Sequence, residues 1–128
     1  MAKYGDTAVK TAEILAANNG EHPRDIWNLV ASEIFGAGTY GQKKDCPRNA
    51  FLGLCQEGMI KGVNRGKYTS AMLNSKYAVK AVEILREKPE LVDDYKVLWL
   101  ESVGEQKAYN QQMDVVISLW KNGYINHE

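Results

Sequence analysis

One octapeptide occurs twice in this chain. Ala8-Val9-Lys10-Thr11-Ala12-Glu13-Ile14-Leu15 returns as Ala78-Val79-Lys80-Ala81-Val82-Glu83-Ile84-Leu85, with six of the eight residues identical. A second, looser match lies at the far end of each copy. Ala50–Ile60 sits over Val115–Ile125, with Leu54 over Leu119, Gly58 over Gly123 and Ile60 over Ile125. Between these landmarks each copy carries one tryptophan, Trp27 or Trp99, and one Gln-Lys pair, Gln42-Lys43 or Gln106-Lys107. The repeat is longer than the roughly 20–50 residues of open solenoids, and there are only two copies. A closed bundle with a pseudo-twofold axis is the expected arrangement.

Size argues for one shared core. The chain has 128 residues, and half of that would be a marginal domain alone, since about 60 residues bury too little surface. We therefore expect a single domain over residues 1–128, with internal repeats at about 4–62 and 74–126. The fold class is all-α: six main helices, as two repeated three-helix units packed around one core.

The apolar periodicity supplies the helices. The first is expected from Asp6, a competent N-cap, to Asn18, with Gly20 as a stop. The second opens at Pro23, suited to the first helical turn, and carries Ile26, Trp27, Val30, Ala31 and Ile34 at steps of three and four. Gly36 to Asp45 reads as a polar, glycine-containing loop. The third helix runs from Cys46-Pro47 to Gly58, with Phe51, Leu54 and Cys55 inward. Lys61 to Tyr68 links the copies. The fourth helix opens near Asn74-Ser75 and stops before Pro89. The fifth uses Val92, Tyr95, Leu98, Trp99 and Val103, and Gly104 ends it. The sixth follows Asn110, with Met113, Val116, Ile117 and Trp120 as one face and Gly123 as its end. Trp27, Ile34, Leu54, Trp99, Ile117 and Trp120 are expected in the core, and no segment alternates cleanly enough to demand a sheet.

The run Gln42–Gly58, which contains Lys44-Asp45-Cys46-Pro47-Arg48-Asn49-Ala50-Phe51-Leu52-Gly53-Leu54-Cys55, together with Met113–Gly123, resembles a family of small bacterial all-helical proteins of unknown function. The resemblance covers the whole chain. It implies a bacterial cytoplasmic setting and brings no activity, substrate or catalytic residue.

Formal net charge is zero, which disfavours a wholly nucleic-acid- or membrane-directed protein. No apolar run approaches the roughly 18 residues that span a bilayer, and the start Met-Ala-Lys-Tyr-Gly-Asp lacks the apolar core of a secretory signal. Cys46 and Cys55, nine apart on one helix, cannot bridge. These features read as a soluble cytoplasmic protein with reduced thiols and no membrane partner.

The most site-like segment is Thr39–Arg48. Glycines there allow close approach of a ligand, and Lys43, Lys44 and Arg48 flank a helix start whose amides favour an anion. Gly38, Gly41, Lys43, Lys44 and Arg48 are therefore the candidate anion site; the alternative is a solvated connector. The glycine-to-lysine spacing is not that of a Walker loop, so no cofactor is implied. Cys46 is a candidate reactive thiol, because a helix start beside lysines favours thiolate, but a nucleophile needs a base and only His22 and His127 exist. The plainer reading makes Cys46 a small N-cap and Cys55 core. The cysteines and histidines lack zinc-type spacing, so no metal site and no catalytic residue is assigned. Asp93-Asp94 stands at a helix start, where carboxylates complement the dipole.

Charge is unevenly spread. Lys43, Lys44, Arg48, Lys61, Arg65 and Lys67 face only Asp45 and Glu57 between residues 43 and 67, while residues 83–105 hold seven acids against Arg86, Lys88 and Lys96. The favoured reading is a non-enzymatic binding or protein-interaction module, its partner a protein or a small anion. Two alternatives remain: a nucleic-acid-binding protein using the basic 43–67 segment, and a thiol enzyme with Cys46.

Overall fold

A computed structural model describes residues 3–18, 20–105 and 107–126. Gln106 of the second Gln-Lys pair, and His127, lie outside the described residues. Six principal helices follow one another: α1 (Lys3–Ala17), α2 (Pro23–Phe35), α3 (Asp45–Gln56), α4 (Leu73–Glu87), α5 (Tyr95–Val103) and α6 (Gln112–Lys121). A single helical turn, Tyr40–Lys43, precedes α3, and a 3₁₀ segment, Pro89–Asp93, precedes α5. The fold is all-α. Among the described residues the only sheet-like pairing is one antiparallel bridge, Ile60 to Ile125.

Local chemistry sets the helix ends, in places differently from expectation. α1 starts at Lys3, so Asp6 lies inside the first turn instead of capping it. The extra turn forms because its groups have partners. The Tyr4 hydroxyl donates to the Gly41 carbonyl at 3.1 Å, its ring packs on Phe35 with centroids 4.6 Å apart, and Gly5 and Thr7 are buried. α2 opens as expected at Pro23, with His22 Nδ1 accepting from the Arg24 amide at 3.1 Å. The expected loop before α3 contains the turn Tyr40–Lys43, because Thr39 caps the Gln42 amide. Lys44, not Cys46, is the N-cap of α3.

Neither Asn74 nor Ser75 caps α4, which begins at Leu73 after Met72. Ser75 Oγ donates to the Ala71 carbonyl at 2.7 Å and reaches the Asn49 carbonyl at 3.4 Å, while Asn74 Oδ1 accepts from Gln112. The expected fifth helix is split: Val92 belongs to the 3₁₀ segment, and Asp94 caps α5 by accepting from the Val97 amide at 3.2 Å. Asp93 pairs with Lys121 at 3.1 Å.

The core is one cluster drawn from all six helices. α1 packs on α2 and α6, α3 on α4, α4 on α5, and α3 lies beside α6. Trp27, Leu54 and Trp99 are buried, but Ile34, Ile117 and Trp120 are only half-buried. α6 is turned so that Gln112, Met113, Val115, Val116 and Leu119 face inward instead. That set keeps the three-and-four spacing of a single helix face. Trp27 stacks on Phe51 at 5.3 Å, and Trp99 meets Tyr77 and Tyr109 edge-on at 5.4 Å each.

Two crossings are tight enough to demand small residues. At α1–α6, a side chain on Gly5 would collide with the Ser118 hydroxyl. At α3–α4, a Cβ on Gly53 would stand 2.5 Å from Ser75 Cα. The Ile60–Ile125 bridge ties the ends of the two halves: the Lys61 amide donates to the Tyr124 carbonyl, and the Asn126 amide to the Met59 carbonyl, both at 2.9 Å. Among the described residues no helix is long and apolar enough to cross a membrane.

Candidate functional site

The residues expected around an anion come together only in part. Gly41 sits in the turn Tyr40–Lys43, with its carbonyl held by Tyr4. Gly38, at φ +77°, donates its amide to Gln42 Oε1 at 3.3 Å. Lys43 is exposed. Lys44 reaches across to α6, donating Nζ to Gln111 Oε1, and lies 5.8 Å above the Tyr4 ring. Arg48 donates to Asn28 Oδ1 at 3.1 Å. Burial and the neighbouring Arg24 draw its guanidinium below the ordinary value, partly offset by Asp45. Asp45 also occupies the first turn of α3, where its carboxylate competes with an outside anion for the helix dipole. Two of the three loop cations thus already have neutral acceptors within the fold.

Cys46 is half-buried in the first turn of α3, and Cys55 is fully buried on its inner face. Burial pushes the Cys55 thiol up, which leaves it inert as a nucleophile. His22, the one described histidine, spends Nδ1 on the α2 cap and sets its ring edge-on to Tyr68. Among the described residues no group of three or more His, Cys, Asp or Glu is placed to hold a metal.

The basic 43–67 segment divides between the two ends of α3. Eight helical steps, roughly 12 Å, separate Arg48 from Gln56 at the end of α3, just before the turn at Gly58. Arg65 belongs to that second end, its side chain laid across Gly58 so closely that a Cβ there would meet Arg65 Cγ at 2.8 Å. Gly58 has φ +72°, so it meets two requirements, a left-handed backbone and room for the arginine.

At this end the sequence reading missed the richer constellation. Arg65, Arg86, Glu57, Gly58, Met59 and Asn126 surround a cavity of about 420 Å³. Arg86 comes from α4 and donates Nη2 to the Asn126 carbonyl at 2.7 Å. The Asn126 side chain donates in turn to the Gly58 carbonyl at 2.7 Å. Among the described residues, Arg86 Nε and Arg48 Nε are buried without a hydrogen-bond partner. Of the two, Arg86 opens on a cavity it shares with a second arginine. Among the described residues no carboxylate lies within 4.0 Å of Arg65 or Arg86. Two guanidiniums around one polar cavity present planar donor forks whose geometry matches a planar or tetrahedral oxyanion. One clue was present in the sequence: where the first copy continues Leu15-Ala16, the second continues Leu85-Arg86.

The chain belongs to the family of unknown function DUF6979, whose model matches residues 1–126. Comparison with curated proteins and with solved structures finds no match.

Proposed function

We propose that this protein is a non-enzymatic binding module whose ligand presents a carboxylate or phosphate to Arg65 and Arg86. The observation that carries the reading is the convergence on one cavity of about 420 Å³ of two arginines, neither of them in an ion pair among the described residues. Arginine suits the role because its planar fork matches an oxyanion bidentately.

The architecture behind the site we read as a duplicated three-helix unit. The octapeptide match puts Gly5 over Ser75, and the second match puts Gly53 over Ser118. The two tight crossings, Gly5–Ser118 and Ser75–Gly53, are then one contact with its partners exchanged. The paired bonds Lys61–Tyr124 and Asn126–Met59 exchange in the same way. In this reading the arginine cavity marks where the copies diverged, since Ala16 of the first copy packs against the Gly62 backbone instead. A bacterial, cytoplasmic setting accompanies the proposal, in keeping with the resemblance and with two thiols too far apart on α3 to bridge.

The loop Gly38–Arg48 stands as a second, weaker anion site, supported by Lys43, which is exposed. Calorimetric titration with inorganic phosphate and with acetate distinguishes the two. Millimolar binding, about −4 kcal/mol, should be lost in Arg86→Gln and weakened in Arg65→Gln, yet survive in Arg48→Gln. Loss in Arg48→Gln alone would move the site to the loop.

A further inference from the structure

The arginine cavity does not stand alone. A cleft of about 530 Å³ opens at the junction of α3 and α4, lined on its apolar side by Ala71, Met72, Leu73 and Val79. Met72 is 79 % exposed and Leu73 56 %, an unusual pair of adjacent bare apolar side chains on a small protein. Glu57 lines both this cleft and the arginine cavity. A smaller depression of about 340 Å³ bounded by Lys80, Glu83, Arg86 and Glu87 shares residues with each. Linked by these shared residues, the three follow one another along α4 as a groove, apolar at the Met72 end and holding both arginines at the Arg86 end.

We propose that this groove holds an extended peptide of a partner protein, with an apolar side chain in the Met72–Leu73–Val79 cleft and a carboxylate on Arg65 and Arg86. The proposal rests on the anion-binding reading of those arginines and names its ligand. Charge complementarity selects the acidic end: the cavity there sets Arg65 and Arg86 against Glu57 alone, while along the whole groove Lys76, Lys80, Arg65 and Arg86 stand against Glu57, Glu83 and Glu87. None of these groups is in an ion pair with another among the described residues. Length selects an extended segment. From Lys76 to Arg86 is roughly 15 Å of helix, which four or five residues of extended chain at about 3.3 Å each would cover. The apolar anchor and the acid should therefore stand four or five positions apart.

The test uses the intact protein and the peptide acetyl-Gly-Leu-Ala-Ser-Ala-Asp-Gly-amide, with acetate and octanoate as comparison ligands, followed by backbone amide shifts. The peptide should bind at least tenfold more tightly than acetate and shift both Ala71–Lys80 and Gly58–Arg65. Met72→Glu, at an exposed position where folding is not at stake, should erase the tenfold advantage and leave acetate binding intact. Replacing the peptide's aspartate by asparagine should do the reverse and abolish shifts at Arg65. A peptide that binds no better than acetate, with acetate still shifting Arg65 and Arg86, overturns the peptide proposal and spares the anion reading. Octanoate matching the peptide overturns it in favour of a fatty acid. Silence of Arg65 and Arg86 toward every ligand overturns both.

Discussion

Single residues show where chemistry and packing part company. Tyr109 is the clearest case. Its hydroxyl donates to Asp114 Oδ1 at 2.7 Å and accepts from the Asp114 amide at 2.9 Å. It thereby supplies the start of α6 with the cap that Gln111, at φ 65°, does not provide. Burial first, and then Asp114, hold the phenol well above its ordinary range. A raised acid is favoured in its protonated form by the native state, so its contribution is full below the unfolded value of about 10 and falls away as pH rises beyond it. Tyr109→Phe should cost about 1–2 kcal/mol at neutral pH, and the gap to wild type should shrink above pH 10. Urea melts at neutral and alkaline pH check both statements, and a gap that widens with pH would reverse the sign. The two cysteines give a second prediction. Native-state alkylation should label Cys46 before Cys55, because one is half-exposed at a helix start and the other is buried with its thiol pushed up. First labelling of Cys55 would contradict the register of α3.

At the scale of elements, helix existence was legible and helix rotation was not. Period and glycine or proline punctuation located all six helices, since both are local properties of the chain. What escaped were features set by distant partners. The extra first turn of α1 depends on the distant turn Tyr40–Lys43 through the Tyr4–Gly41 bond. The inward turn of Val115 and Leu119, at the expense of Ile117 and Trp120, depends on which neighbours α6 meets. Ser75 looked like a cap because serine caps helices, yet tertiary packing uses it at the Gly53 crossing. That crossing carries a prediction. Gly53→Ala should destabilise by about 1–3 kcal/mol through overpacking, and Ser75→Gly in the same chain should recover part of the loss. A double variant no more stable than Gly53→Ala alone would show that the strain lies elsewhere.

For the whole molecule, the octapeptide was a sound guide to helices and a poor guide to the site. Matching segments report only what they have in common, whereas the arginine cavity takes Arg86 from a position where the two stretches differ, Ala16 against Arg86. The glycines and lysines of Gly38–Arg48 drew attention as a local cluster. The arginine cavity is assembled from Arg65 in the linker, Arg86 on α4 and Asn126 near the C-terminus, a convergence that no short window of sequence displays. Anion binding at this cavity can be tested by observing the arginine Nε–H groups in ¹⁵N-edited spectra during addition of millimolar phosphate. The Nε–H resonances of Arg86 and Arg65 should shift together and saturate, and those of Arg24 and Arg48 should stay nearly still. Shifts confined to Arg24 and Arg48, or no shift in Arg86 at saturating phosphate, would contradict it.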